Sequence, residues 1–247
     1  MDFKNPEMKE QLSGKASDML DDYREYLAQL IDDPQSYKKA ALLYYWLRDY
    51  KSYLKNEAAF DSQCLPNFER GNIVNVNLGF NIGAEMGGLH YAVVLANSNR
   101  RNPNLVILPL TSVKPSRDVN HLRPTEVYLG EELYYMILGK NTALRASIPA
   151  ELSLVKRDLD DGADIEQVDR KIDTLTHKFE LLKKTMKKLH VLKHGSIAVL
   201  NQIRTVSKMR VVDPTDAYDI LYGLKVSSRY LTAIDDALQK LYMGNRI

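Results

Sequence analysis

Cysteine is almost absent. Cys64 is the only one among 247 residues, which excludes an internal disulfide and fits a reducing compartment. No motif surrounds Cys64, so it is given no catalytic role. Long apolar runs are missing as well. Nothing reaches the roughly 18 residues a membrane helix needs, and the opening MDFKNPEMKEQ has no apolar core of a secretory signal. A cytoplasmic protein without a membrane segment is expected. There is no G-x-x-x-x-G-K-[ST] phosphate loop, and His121, His177, His190 and His194 are too dispersed for a zinc site. Neither cofactor nor metal is expected. An excess of one charge is also lacking: 34 Lys and Arg face 32 Asp and Glu, for a net +2. The molecule as a whole is no polycation, so a nucleic-acid role requires a local basic patch.

What is present centres on residues 70–112. Three β-branched runs, Ile73–Val76, Tyr91–Leu95 and Leu105–Leu108, are bounded by Gly, Asn and Pro. They read as a small antiparallel unit, with 125–129 as a fourth strand. Gly79, Gly83, Gly87 and Gly88 crowd the first loop and allow backbone to pass close to a partner. His90 enters the second run and Thr111-Ser112 leave the third, so strand pairing would put imidazole and hydroxyls at one end of the sheet.

Upstream, residues 1–14 are polar and expected to fray. Residues 17–32 and 35–57 read as two helices, with Ser17 as the first N-cap and Asp33-Pro34 opening the second helix. The aromatic face of this αα-hairpin (Tyr37, Ala41, Tyr44, Trp46, Leu47, Leu54) should be buried, on the rest of the chain or on a second subunit. A cover or an inhibitory segment is the sharper alternative. Residues 60–69 read as a linker. The loop 114–124 is basic and polar, suited to solvent or to a nucleic-acid strand. Residues 130–149 are open between strand and helical turn.

Ile165, Val168, Ile172, Leu175, Phe179, Leu182, Met186 and Leu189 alternate spacings of three and four. This is a heptad seam on a helix expected at 162–192, about 45 Å long. Its partner would be the same helix of another subunit, the N-terminal hairpin, or both. Lys183, Lys184, Lys187, Lys188, Lys193, His190 and His194 make its end basic, a solvated helix C-terminus or an RNA backbone contact. A strand at 196–201 and a closing helix at 215–242, opened by Asp213-Pro214, complete the chain.

Three ordered motifs resemble the MazF/PemK family of toxin endoribonucleases. Gly83 to Tyr91 is similar to the family's G-S-E-x-x-G-x-R-P loop, Pro109-Leu110-Thr111-Ser112 to P-x-T-S, and Gln202 to Arg210 to Q-I-R-T-x-x-K-x-R. The resemblance covers about residues 68–137 and 195–247. It implies an α+β fold: a small SH3-like antiparallel β-barrel of MazF/CcdB type, here with an N-terminal hairpin (1–60), a helical, coiled-coil-like insertion (150–194) and a C-terminal helix. It also implies metal-independent, sequence-specific cleavage of single-stranded mRNA to a 2′,3′-cyclic phosphate, a homodimer, and an antitoxin partner. CcdB-type relatives poison gyrase on the same scaffold, so a non-catalytic binding module or regulator is the alternative.

RNA cleavage without a metal needs a base for the 2′-OH, an acid for the departing 5′-oxygen and a cation at the phosphate. Imidazole can be base or acid near neutrality. Hydroxyls orient phosphate, and arginine grips it through a fork. His90, Thr111 and Ser112 are therefore the catalytic candidates. Arg204, Gln202, Asn201, Lys208 and Glu85 are the RNA-binding candidates, Glu85 leaning to a role inside its loop. Two departures stand out: His90 and Tyr91 occupy the family's Arg and Pro, and Asn201 stands where the family often has an acid.

Overall fold

The β-branched runs become neighbouring strands in the computed structural model, which describes residues 5–192 and 195–244. The chain divides into two units, Met1–Ala58 and Ala59–Ile247.

The first unit is a helical hairpin, α1 (Pro6–Asp32) and α2 (Tyr37–Asn56). The first helix starts eleven residues earlier than the sequence implied. Asn5 takes the Glu7 N–H on its side chain at 3.0 Å, and Pro6 fills the first helical position. Residues 6–14, expected to fray, are thus helical, and Ser17 lies inside the helix. Asp33 closes α1 by donating its N–H to Gln29 O. Its carboxylate binds the Gln35 N–H at 3.0 Å; α2 begins only at Tyr37, so Asp33-Pro34 form the turn and not a cap. Ala40 and Leu43 are the buried residues of α2, while Tyr37, Tyr44, Leu47 and Leu54 stay exposed. The hairpin does not bury this aromatic face by itself. Trp46 instead stacks on Tyr50, centroids 5.4 Å apart.

The second unit is built on a seven-stranded antiparallel sheet. Its strands are β1 (Ile73–Asn77), β2 (Leu89–Val94), β3 (Asn104–Ser112), β4 (Glu126–Tyr128), β5 (Ser196–Val199), β6 (Arg204–Ser207) and β7 (Val211–Asp213). The order is β4-β5-β3-β2-β1-β7, with β6 also on β3. The sheet is open, with β4 and β7 as its ends, so the expected closed barrel is not formed among the described residues. The strand expected at 196–201 ends at Val199, and two further short strands, β6 and β7, follow 3-10 turns at Leu200–Gln202 and Lys208–Arg210.

Both faces of the sheet are apolar, which is why its runs are continuous and not alternating. One face carries Val74, Val76, Ala92, Val94, Leu105, Ile107, Val206 and Val211, closed by Phe68. Phe68 bridges Ser98, and Ser62 donates to Arg100 O at 2.5 Å, so the supposed linker 60–69 is partly packed. The other face carries Ile73, Val93, Leu108, Leu110 and Ala198 beneath the helices α3 (Glu132–Asp160), α4 (Ile165–Leu192) and α5 (Ser228–Met243).

Residues 130–149, ambiguous in sequence, are helical from Glu132. The helix α3 runs through positions 137 and 150, where boundaries were expected, and pairs with α4. Leu133 and Ile137 at the root, with Leu192 of α4, join the sheet core, whereas Ile148, Val155, Val168 and Leu175 make a separate small core further out. The arm leaves and returns at one rung: Ser196 N donates to Gly130 O and Leu129 N to Ser196 O, both at 2.9 Å. Gly195 is required at this junction. A Cβ there would sit 2.7 Å from Gly130 O and 2.8 Å from the Tyr128 ring, and its φ is +92°.

The closing helix is shorter than expected. Residues 214–227 form turns that bury Ile220, Leu221, Leu224 and Val226. Asp213, expected as an N-cap, accepts the Leu221 N–H at 3.0 Å within these turns. The helix α5 starts after Ser227, whose N–H is taken by Glu132 at 2.7 Å. Tyr242 then pins α5 to Leu200 O at 3.0 Å.

Candidate functional site

Strand pairing decides which candidates meet. The β2–β3 ladder pairs Ala92 with Pro109. The pairs end there, and two positions further on His90 lies against the Leu110–Thr111 end of β3. His90 Nδ1 lies 2.9 Å from Leu110 O. A carbonyl only accepts, so Nδ1 carries a proton, and in the neutral form of the ring the lone pair is on Nε2. The ring is thereby held in one tautomer with its basic nitrogen directed away from the strand.

Alternation places the side chains. His90 has the parity of Ala92 and Val94, and Thr111 that of Leu105 and Ile107. Arg204 pairs with Ile107 and has the parity of Val206. All three therefore edge the same sheet face, and each is half-buried. Ser112 alternates to the other face, opposite Ser196, so it does not join His90 and Thr111.

A register change brings in the third motif. Leu110 pairs with Ala198 and Ile107 with Arg204. Six positions on one strand thus face three on the other, and the excess is ejected as the turn Leu200–Gln202. Gln202 projects from this turn to the Gly-rich loop. Its Oε1 accepts from Met86 N at 3.1 Å and from Arg204 Nη2 at 3.0 Å. Gln202 therefore ties the loop to the arginine.

The loop is held at its other end too. Asn81 Nδ2 donates to Met86 O at 2.6 Å, Gly88 N to Gly79 O at 2.7 Å and Arg210 Nε to Asn77 O at 2.7 Å. Gly87 packs so tightly that a Cβ would lie 2.7 Å from Gly79 O. Sequence reasoning did not single out Asn81 or Arg210. Both act on backbone carbonyls, which a motif does not display.

Other candidates fall elsewhere. Glu85 is exposed in the loop, while the ring nitrogen it was considered to orient is taken by Leu110 O. Asn201 is exposed in the ejected turn. Lys208 is no surface contact: it is fully buried, donates to Asn99 O at 2.7 Å and lies 5.5 Å from the Phe68 ring centre. Its burial lowers the ammonium pKa. In the loop 114–124, Arg117 is paired with Glu126 at 2.5 Å, and His121 with Asp118, whose carboxyl is held below its ordinary range chiefly by that bond. Of the basic end of α4, Lys183 and Lys184 are exposed. The side chains of Lys187, Lys188 and His190, and residues Lys193 and His194, lie outside the described residues.

Behind the site Asn75, Tyr91 and Asp213 line up across β2, β1 and β7. Desolvation, with the Asp213 charge, pushes the Tyr91 phenol well above its ordinary range, so it stays neutral. A cavity of about 330 Å³ lined by Phe68, Asn72, Arg100, Tyr222 and Lys225 is separate from the His90 edge. Among the described residues, no group of three or more His, Cys, Asp or Glu is placed to hold a metal ion, and no helix is long and apolar enough to cross a membrane.

The antiparallel α+β unit thus has an imidazole, a hydroxyl and a guanidinium on one sheet face. Residues 69–147 match the family model described as PemK-like, MazF-like toxin of type II toxin-antitoxin system. That stretch is thus similar to this toxin family. The match covers about a third of the sequence, including His90, Thr111 and Ser112 but not Gln202 or Arg204. No curated protein matches the chain.

Proposed function

We propose that the protein is a metal-independent endoribonuclease toxin acting in the cytoplasm as a homodimer. It cuts single-stranded mRNA at a short recognition sequence and is neutralised by an antitoxin. The observation that supports this reading is strand parity, which gives His90, Thr111 and Arg204 one sheet face, with His90 at the Leu110–Thr111 end of β3 and Arg204 opposite Ile107. The toxin-family match to residues 69–147 supports it.

His90 Nε2, freed by the Nδ1 contact to Leu110 O, takes the proton of the RNA 2′-OH. The 2′-oxygen attacks phosphorus, the P–O5′ bond breaks, and a 2′,3′-cyclic phosphate forms. Arg204, held by Gln202, stabilises charge on the non-bridging oxygens. Thr111 orients the phosphate by a hydroxyl bond. The proton then reaches the 5′-oxygen from the imidazolium, which restores the starting tautomer. Asn201 reads base edges, Gln202 keeps Arg204 on the phosphate, and Glu85 tunes the Gly-rich loop. The arm 132–192 and the hairpin 1–58 are additions around this catalytic unit.

The test is expression of the chain followed by mapping of cellular RNA 5′ ends. Cuts clustered at one short sequence, bearing 5′-hydroxyl ends and lost in Thr111→Val, are expected. Growth arrest with intact RNA would replace the nuclease with a protein-directed poison.

A further inference from the structure

The heptad seam of α4 is used by halves. Its alternate members Val168 and Leu175 are buried against Ile148 and Val155 of α3, with Leu182 packed beside them. The other members, Ile165, Ile172, Phe179 and Met186, are 76%, 43%, 56% and 66% exposed. They recur every seven residues, so they form one narrow apolar stripe about 30 Å long. α3 already occupies the neighbouring face, and the stripe has no partner among the described residues.

Charge along the helix indicates what fits the stripe. Lys171 and Lys178 are paired with Asp158 and Glu151 of α3. Of the remaining charges, the first half carries Glu166, Asp169 and Asp173 against Arg170, and the second half Lys183 and Lys184 against Glu180. Laid parallel, two such helices would set like charge beside like. Laid antiparallel, they set the acidic half of each against the basic half of the other. The stripe is also symmetric under that operation. Ile165 with Met186, and Ile172 with Phe179, are each centred on the bond between Leu175 and Thr176. The same dyad brings exposed Asp169 beside exposed Lys183 of the other copy.

We infer that the α4 stripe is an antiparallel docking surface for α4 of a second copy of this chain, so that two arms pair about a dyad at Leu175-Thr176. Such a contact is isologous and closes on itself, giving a dimer and not a filament. It does not depend on the nuclease reading, because it uses no residue of the His90 edge.

Heterotypic cross-linking tests it on the full chain. In a Cys64→Ser background, one preparation carries Asp169→Cys and another Lys183→Cys, and a short bismaleimide is added. Mixed chains should cross-link, while neither chain alone should do so. Adding Phe179→Lys to both should lower the mixed product at least tenfold, with helix content by circular dichroism unchanged. A second comparison uses the Cys64→Ser, Thr176→Cys chain, which should cross-link to itself beside the dyad. Asp169→Lys or Lys183→Asp alone should reduce that product, and the two together should restore it. Three results would overturn the inference. One is no mixed product, as for a dimer joined elsewhere or a stripe covered by the chain's own hairpin. Another is self-cross-linking of either Asp169→Cys or Lys183→Cys, as for parallel helices. The third is a charge exchange that fails to restore the product.

Discussion

His90 and Leu110 are joined across β2 and β3 by a contact of 2.9 Å between ring Nδ1 and carbonyl oxygen. A backbone carbonyl holds Nδ1, and in the proposed reaction Nε2 is the working nitrogen. Replacing His90 by Ala should lower the cleavage rate by roughly 10²- to 10⁴-fold, the usual worth of a general acid–base group. His90→Arg should also be inactive, since arginine stays protonated. The stability cost of His90→Ala should stay near 1 kcal/mol, one hydrogen bond. Initial rates on a cleavable RNA and urea midpoints check both figures.

In the proposed reaction Gln202 acts as a positioning residue. Gln202→Ala releases the Met86 N–H and the Arg204 guanidinium together. A misplaced arginine should reduce kcat about 10²-fold, with little change in thermal midpoint. Gln202→Glu keeps both acceptor contacts and should recover most of the rate. Single-turnover kinetics of the two variants decide this.

Gly87 tests the loop by sterics alone. In Gly87→Ala the new methyl would lie 2.7 Å from Gly79 O, so the loop has to move. A cost of about 1–3 kcal/mol is expected, together with loss of cleavage, because Met86 and its bond to Gln202 shift with it. Denaturant unfolding and a cleavage assay provide the measurement.

Lys208 should behave as core, not as an RNA contact. Lys208→Ala should cost about 2–4 kcal/mol by the cavity it leaves under Phe68. Lys208→Met should cost less and leave the salt dependence of RNA binding unchanged. Burial lowers the Lys208 pKa below its ordinary 10.5. Between the lowered value and 10.5 the unfolded chain binds a proton that the folded chain lacks, so stability should rise with pH across that interval. Lys208→Met should flatten the rise, as read from unfolding midpoints at several alkaline pH values.

Local pattern carried much of this in advance. The strand runs around Val74, Val93 and Ile107 were legible because buried strands are β-branched and bounded by turn residues. The meeting of His90 with Thr111 followed from pairing those runs. The break of 196–213 into three strands was not legible, since three-residue strands leave no period to detect and the ejected turn at Leu200–Gln202 is set by β3. Lys208 misled for a related reason: a lysine reads as surface, and only the packing of Phe68 and Asn99 shows otherwise. Residues 130–149 lack a clean helical period because their first two turns face the sheet core and the rest faces α4. The turns 214–227 mimicked a helix start because Asp213 caps a turn with the same chemistry that caps a helix.

The arm departs after Gly130 and rejoins at Gly195, with Ser196 bonded to both Gly130 and Leu129. Its far half has a core of its own. Such a mount behaves like a socket: what is plugged in beyond the first two turns of α3 can change length or sequence while every rung of the sheet stays in place. Selection can therefore rework how the molecule meets its neighbours without disturbing the sheet end that carries His90 and Thr111, and a short loop grafted across the socket would return the sheet unit alone.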